Sequence, residues 1–187
     1  MTDVAVGTRQ AAAARTRALL VDAGLRLADT TGLSELSIDR IVAEAGVSKG
    51  TFFYHFTDRA GYLLAIHRGF HDRLAAEIEG EVAAMPPGRS RLVTGATVYL
   101  DRCLHDRGVR ALLLDARAEP LVADEVQHRN RATAERCVSD FAAIGRAHPK
   151  HGADLWVRLV AEAAILELRA HRRQPQLRAA LWEFLDV

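Results

Sequence analysis

Ser37-Ile38-Asp39-Arg40-Ile41-Val42-Ala43-Glu44-Ala45-Gly46-Val47-Ser48-Lys49-Gly50-Thr51-Phe52-Phe53-Tyr54-His55-Phe56 is the stretch that decides the reading of this chain. It holds two helical runs of about eight residues joined by Gly46-Val47-Ser48, which is helix-turn-helix spacing with glycine in the turn. Ser37 can cap the first run, whose Ile38, Ile41, Val42 and Ala45 face inward. Gly46 can take the left-handed conformation that stops it, and Val47 can plug the angle between the two helices. Ser48 caps the second run and satisfies one amide, leaving others directed outward. A helix start of that kind favours a phosphate.

The second run has an uneven distribution of aromatics. Phe52 and Phe56 stand four apart and share a face, so both can enter a core. Phe53 and Tyr54 project elsewhere, and the cluster is too large for one face of so short a helix. In a helix entering the major groove they meet sugar, phosphate and thymine methyls. Lys49 supplies a charge at the helix start, Gly50 lets the backbone approach a duplex, and Thr51 can reach a base edge or a phosphate. The competing reading is a plain core helix between two others.

Working outward, strand signals are nearly absent and apolar residues recur at helical spacing. The fold class is all-α: an N-terminal three-helix helix-turn-helix domain, residues 9–57, plus a C-terminal helical ligand and dimerisation domain, residues 58–187. Residues 1–8 are expected as a frayed tail and Arg9–Thr31 as a first helix, with Leu19, Leu20, Ala23 and Leu27 inward and Gly32 at its stop. Thr57 or Asp58 caps a long helix to Ala84. Met85-Pro86-Pro87-Gly88 is the clearest break. Helices are then expected over Ser90–Asp106, Val109–Ala118, Leu121–Ala147, Ala153–Arg173 and Gln176–Leu185, punctuated by Gly108, Pro120, Pro149 to Gly152, and Pro175.

Gly32-Leu33-Ser34-Glu35-Leu36-Ser37-Ile38, Ile41 and Ala45 through Phe56 resemble the DNA-binding domain of TetR/AcrR transcriptional regulators, over about residues 10–66. The resemblance implies a homodimer on a palindromic operator of double-stranded DNA, with repression relieved by a small-molecule effector in the C-terminal domain. It implies DNA contacts from Ser37, Lys49, Thr51, Phe53, Tyr54 and His55, beside Ser48 and Gly50 of the turn and helix start. Arg59 stands where that family usually has Lys, beside the phosphates. Phe53 stands where Tyr is usual, which removes one hydroxyl contact. Val42 replaces a usual Ala, and Ala60-Gly61 lacks the acidic residue common there.

The rest of the chain carries no motif of that kind. On the helix expected over Leu121–Ala147, Asn130 and Thr133 interrupt an apolar stripe of Val122, Val126, Cys137, Phe141 and Ile144. A buried polar group without a partner costs about 1–3 kcal/mol, so each needs one: a ligand, a neighbouring helix or water. Tyr99, Asn130 and Thr133 are the candidate polar groups of an effector pocket, with Leu112, Phe141 and Leu159 as apolar lining. Such a ligand is small and largely apolar, with one or two hydrogen-bonding groups. Glu162 is a further carboxylate on the Ala153–Arg173 helix, with Arg117 or Arg158 as a possible partner and a rim position as the alternative. That helix is apolar on two sides, which suggests a core contact plus a partner. Trp156, Leu159, Ala163, Leu181 and Leu185 are the expected subunit contact, in a four-helix arrangement with the second copy.

No catalytic signature is present: no Gly-x-Ser-x-Gly, no phosphate-cradling loop and no His-Glu-x-x-His. The chain is therefore expected not to be an enzyme and to need no cofactor. His67 and His71 stand four apart, a spacing that can hold metal, but no third ligand is evident and no metal is expected. Cys103 and Cys137 read as small apolar residues in a reducing cytoplasm.

Composition sets the outer bounds. The chain has 187 residues, 49% hydrophobic and 26% charged, which excludes disorder and low complexity. Formal net charge is +1, from 25 basic and 24 acidic residues, so bulk charge cannot drive binding to a polyanion. Residues 1–60 hold seven Lys or Arg and seven Asp or Glu, so any DNA contact is a matter of directed groups. The longest run without Asp, Glu, Lys or Arg, Leu92–Leu100, is far short of the roughly twenty residues that a membrane helix needs. No membrane contact and a cytoplasmic location are expected. Two other readings stay open, a helical enzyme or carrier with a merely structural turn, and a regulator answering to a protein partner.

Overall fold

A computed structural model of the chain describes residues 2–28 and 30–186, with side chains from Arg9 onward. It is all-helical among those residues. The helices are α1 (Thr2–Ala28), α2 (Ile38–Ala45), α3 (Lys49–His55), α4 (Arg59–Val82), α5 (Arg89–His105), α6 (Arg107–Asp115), α7 (Pro120–Ala143), α8 (Pro149–Ala170) and α9 (Pro175–Glu183). Short 3-10 turns lie at Leu33–Glu35 and Ala116–Ala118.

The local signals behave as the chemistry demands. Ser37 Oγ accepts from Arg40 N at 3.3 Å and starts α2. Gly46 ends α2 at φ 67°, a conformation open to glycine at little steric cost. Ser48 Oγ accepts from Thr51 N at 3.1 Å, and Asp58 Oδ1 accepts from Gly61 N at 2.8 Å, so Asp58 rather than Thr57 caps α4.

Several boundaries differ from expectation. The stretch read as a tail is helical from Thr2, while Met1 and the side chains up to residue 8 lie outside the described residues. α1 stops at Ala28, where Thr31 closes it by donating from Oγ1 to Leu27 O at 2.8 Å. Pro120, Pro149 and Pro175 sit in the first turns of α7, α8 and α9 rather than between helices. Proline suits a first turn because its missing N–H would have no intrahelical acceptor there. Gly108 lies inside α6. α7 ends at Ala143, before Gly145 at φ 76°, and α8 ends at His171 in the left-handed region.

α1, α2, α3 and the start of α4 form the head. Leu20, Phe52, Tyr62, Leu63 and Ile66 have no exposed surface, and each such burial contributes about 1.5–3 kcal/mol. Phe52, Phe56 and Tyr62 pack with ring centroids 5.0–5.4 Å apart. The Tyr62 hydroxyl donates to Leu20 O at 2.7 Å, and burial pushes its pKa up. Gly24 permits this approach, since a Cβ there would stand 2.4 Å from the Tyr62 oxygen and 2.6 Å from Ile66 Cδ1. α4 then continues through buried Phe70 and Leu74 into the second half. α4 is thus shared: the division expected between residues 57 and 58 falls ahead of side chains that complete the head.

α4 to α9 form the body. α7 and α8 run antiparallel through a short loop, and Gly152 lies where a Cβ would meet Phe141 Cδ1 at 2.7 Å. Arg178 of α9 is buried and fully paired. Its Nε and Nη2 donate to the two oxygens of Glu167 at 2.8 and 2.7 Å, and its Nη1 to Asp101 at 2.6 Å. Three helices, α5, α8 and α9, meet at this one guanidinium. Removing one partner of a buried ion pair strands the other and costs about 3–5 kcal/mol. Arg178→Met is expected to destabilise by that amount in urea unfolding, and a loss below 1 kcal/mol would show the pair to be dispensable.

Candidate nucleic-acid interface

The α2–α3 turn sets the outward face of the head. Phe52 faces inward with no exposed surface, and Phe56 is buried beside it under the Arg17 guanidinium, 4.9 Å from its ring centroid. On the same seven-residue helix Phe53 is 52% and Tyr54 79% exposed. Lys49, Gly50 and Ser48 are also exposed, and Thr51 and His55 are partly so. Ser48 Oγ and Thr51 Oγ1 are 2.9 Å apart. The arrangement puts a cation, two hydroxyls and two aromatic faces on one convex surface.

The cations there are not idle. Lys49 Nζ lies 2.6 Å from Asp39 Oδ1 on α2. Arg59 donates from Nη2 to Leu33 O at 2.6 Å, bracing the turn that precedes α2. Arg40 pairs with Glu35 at 3.4 Å and Arg26 with Glu44 at 2.7 Å. These pairs mean that a polyanion must compete for Lys49 with Asp39.

The residues expected at an effector pocket are dispersed. Tyr99 lies in the body interior, where its hydroxyl accepts from Arg110 Nη2 at 3.1 Å. Leu112 is buried on the neighbouring α6. Asn130 and Thr133 are half-buried on α7, and Thr133 Oγ1 accepts from Arg136 of its own helix at 3.2 Å. Phe141 lies at the far end of α7, against Trp156 with ring centroids 6.5 Å apart. Eleven residues from Asn130 is about 16 Å along a helix, too far for one small site. Two concave spaces lie away from these residues: about 250 Å³ beside Leu25, Phe70, Arg73 and Val109, and about 490 Å³ beside Arg131, Val138 and Asp154.

The residues expected at the subunit contact are mostly internal. Trp156, Ala163, Leu181 and Leu185 are buried within the single chain, and Leu159 is half-buried. Trp156 packs on Trp182 of α9 at 6.0 Å. The apolar side chains that α8 and α9 leave outside are Leu155 at 62%, Phe184 at 60% and, less exposed, Leu166. Glu162 is exposed, as a rim position would be.

Sequence reading passed over Arg110 altogether. Arg110 is fully buried, and Arg117, Arg129, His67 and His71 act on one another around it. The signal was present: Arg110 shares the inward side of α6 with Leu113, three residues on. His67 and His71 lie ring to ring at 4.4 Å. Burial first, then nearby Arg129, holds His67 down to about 4. Burial first, then His67 and Arg110, holds His71 well below its usual value. Among the described residues no third metal-type ligand gathers with them. Cys103 and Cys137 are free thiols, both pushed up by burial, Cys137 to about 11.

Both histidines bind their protons less tightly folded than unfolded. The folded chain is then neutral at these rings while the unfolded chain takes up protons. Stability is full above about pH 6.5 and is lost as pH falls toward about 4. Melting followed from pH 7.5 to 4 should show this fall, and the double variant His67→Gln, His71→Gln should flatten it. An equal slope in the variant would assign the acid sensitivity to other groups.

The fold and this surface define a class: a helical body carrying a helix-turn-helix head with an exposed aromatic reading face. Residues 20–66 match the family described as bacterial regulatory proteins, tetR family. The HTH-type transcriptional regulator BetI of Escherichia coli is 32% identical over 82 residues, which is 44% of this chain and 42% of that protein. The match thus spans less than half of this curated relative. A TetR-family transcriptional regulator from Rhodococcus sp. superposes with a TM-score of 0.77 at 21% identity, covering 92% of this chain and 97% of the other. The multidrug binding protein EbrR, solved as a complex with imidazole, superposes at 0.74 with 21% identity, covering 91% and 95%. At such identities the solved structures speak for the fold alone.

Proposed function

We propose that this protein is a cytoplasmic, sequence-specific DNA-binding transcriptional regulator, a homodimeric repressor released from a palindromic operator by a small, largely apolar ligand. The observation that carries this is Phe53 and Tyr54 held in water on a capped helix whose neighbours Phe52 and Phe56 fill the core. A core helix would not leave two adjacent aromatics outside. A helix presented to the major groove would, with Ser37, Ser48, Lys49, Gly50, Thr51 and His55 around them. Binding rather than catalysis fits a surface with no buried nucleophile or activated base upon it.

For the dimer, outward residues of α8 and of the end of α9 are the better candidates: Leu155, Leu159 and Leu166 lie along one side of α8, with Phe184 just past α9. An isologous contact would cover each stripe with its copy. Leu155→Glu with Phe184→Glu is expected to give a monomer in light scattering at micromolar concentration. A variant that stays dimeric would move the contact elsewhere.

The DNA reading is tested with the DNA flanking the gene, by fluorescence anisotropy over a range of salt. A palindromic segment should bind well above a scrambled one, with affinity falling steeply as salt rises. Equal binding of both at every salt concentration would sink the regulator reading in favour of a helical carrier. Within that assay Lys49→Ala should weaken binding and lower the salt slope by about one. Asp39→Asn should tighten binding, because it frees Lys49 from its internal partner. Tyr54→Ala should leave stability within about 0.5 kcal/mol, as for an exposed residue, while lowering operator affinity.

A further inference from the structure

Arg110 is buried without an anion. Its relative exposure is 1%, its Nη2 donates only to the neutral Tyr99 hydroxyl at 3.1 Å, and its Nε is buried with no partner. The guanidinium carbon lies 5.8 Å from the Tyr99 ring centroid. Arg178, the other buried arginine, makes three bonds to carboxylates. The contrast separates an arginine that ties helices together from one that does not.

Basic groups gather around Arg110 from three elements. Arg117 follows α6, Arg129 stands on α7, and His67 and His71 stand on α4. His67 Nδ1 is also buried without a partner. The nearby carboxylates are engaged or outside. Glu125 gives one oxygen to Arg68 and the other to Arg129, Asp106 pairs with Arg102 at 2.6 Å, and Glu162 is exposed. Tyr99 and Cys103 stay protonated, since burial raises both, Tyr99 to about 12. Taking a cation out of water without a counter-charge is strongly unfavourable, and none of these groups supplies one to Arg110.

We propose that the effector carries a carboxylate, received by Arg110 with the Tyr99 hydroxyl and the His67 ring as supporting contacts. This rests on the ligand-released regulator reading and names the chemistry of its ligand. A guanidinium fork matches the two oxygens of a carboxylate in one plane. The helices that hold the site bury Leu100, Cys103, Leu112 and Leu113, which suits an apolar body behind the charged end and disfavours a small inorganic anion. Tyr99 and Leu112 thereby keep the place first expected of them, while Asn130, Thr133 and Phe141 are not needed.

The test uses the full chain at pH 7 and matched pairs of probes: benzoate with benzamide, phenylacetate with phenylacetamide, octanoate with octanamide, and inorganic phosphate. At least one carboxylate should raise the melting temperature by about 5–10 °C at a hundred times its Kd. Its amide should bind at least tenfold more weakly in calorimetry, and phosphate should give no shift. Arg110→Met should lose the carboxylate at least tenfold yet melt, without ligand, no lower than the parent, since it removes an unpaired buried cation. Tyr99→Phe, a milder change, should weaken the same carboxylate severalfold. Amides binding as well, phosphate binding as well, or no carboxylate binding would each overturn the proposal. So would Arg110→Met failing to fold or melting well below the parent, as Arg178→Met is expected to do. Operator binding measured on the same samples separates the two readings. Carboxylate binding without operator discrimination leaves this site and removes the regulator; the reverse removes this site alone.

Discussion

The hydrogen bond from Tyr62 to the Leu20 carbonyl is the constraint on which the two halves depend. A tyrosine hydroxyl buried among Phe52, Phe56 and Ile66 must have an acceptor, and the one within reach is a backbone oxygen of α1. Reaching it requires a residue without a side chain at position 24. The outcome is that α1 and α4 are fixed at close range, and α4 leaves the head at one set angle. The head is thus joined to the helices packed on the far part of α4 by a continuous helix rather than by a linker. Arg129 of α7 adds a second tie, bonding both Glu125 of its own helix and Asp72 of α4.

The legibility of the sequence follows the range of the forces involved. Ser37, Gly46, Ser48 and Asp58 act on amides three residues away or on their own backbone angle, so their neighbours are enough to read them. The split between Phe52 with Phe56 and Phe53 with Tyr54 is a matter of helical phase, equally local. Proline is ambiguous at this level, because a residue that cannot continue a helix is also well suited to begin one. Reading Pro120, Pro149 and Pro175 as gaps displaced three helix starts.

Longer-range facts were less accessible. Trp156 and Leu181 are apolar whether they face the core or a second subunit, and periodicity records only that a face is apolar. Which of two apolar sides of α8 is covered within the chain depends on where α9 lies. That in turn depends on Arg178 reaching Glu167 across α8 and Asp101 on α5. Arg110 was missed for a related reason. An arginine in a short helix reads as a solvated charge unless its three-residue neighbour Leu113 is weighed against it.

The internal pairing of the head has a consequence for how such a protein would be distributed along a chromosome. Nonspecific affinity for duplex comes almost wholly from cations displacing condensed counterions. Here Lys49, Arg40 and Arg26 each hold a carboxylate of their own head. Random DNA offers phosphates but little reason to exchange partners. A site that also accommodates the exposed rings of Phe53 and Tyr54 offers the additional contacts that make the exchange worthwhile. Were the chain the regulator proposed above, it would spend less of its time on competing sequences than one with unpaired cations, and fewer copies would occupy its targets.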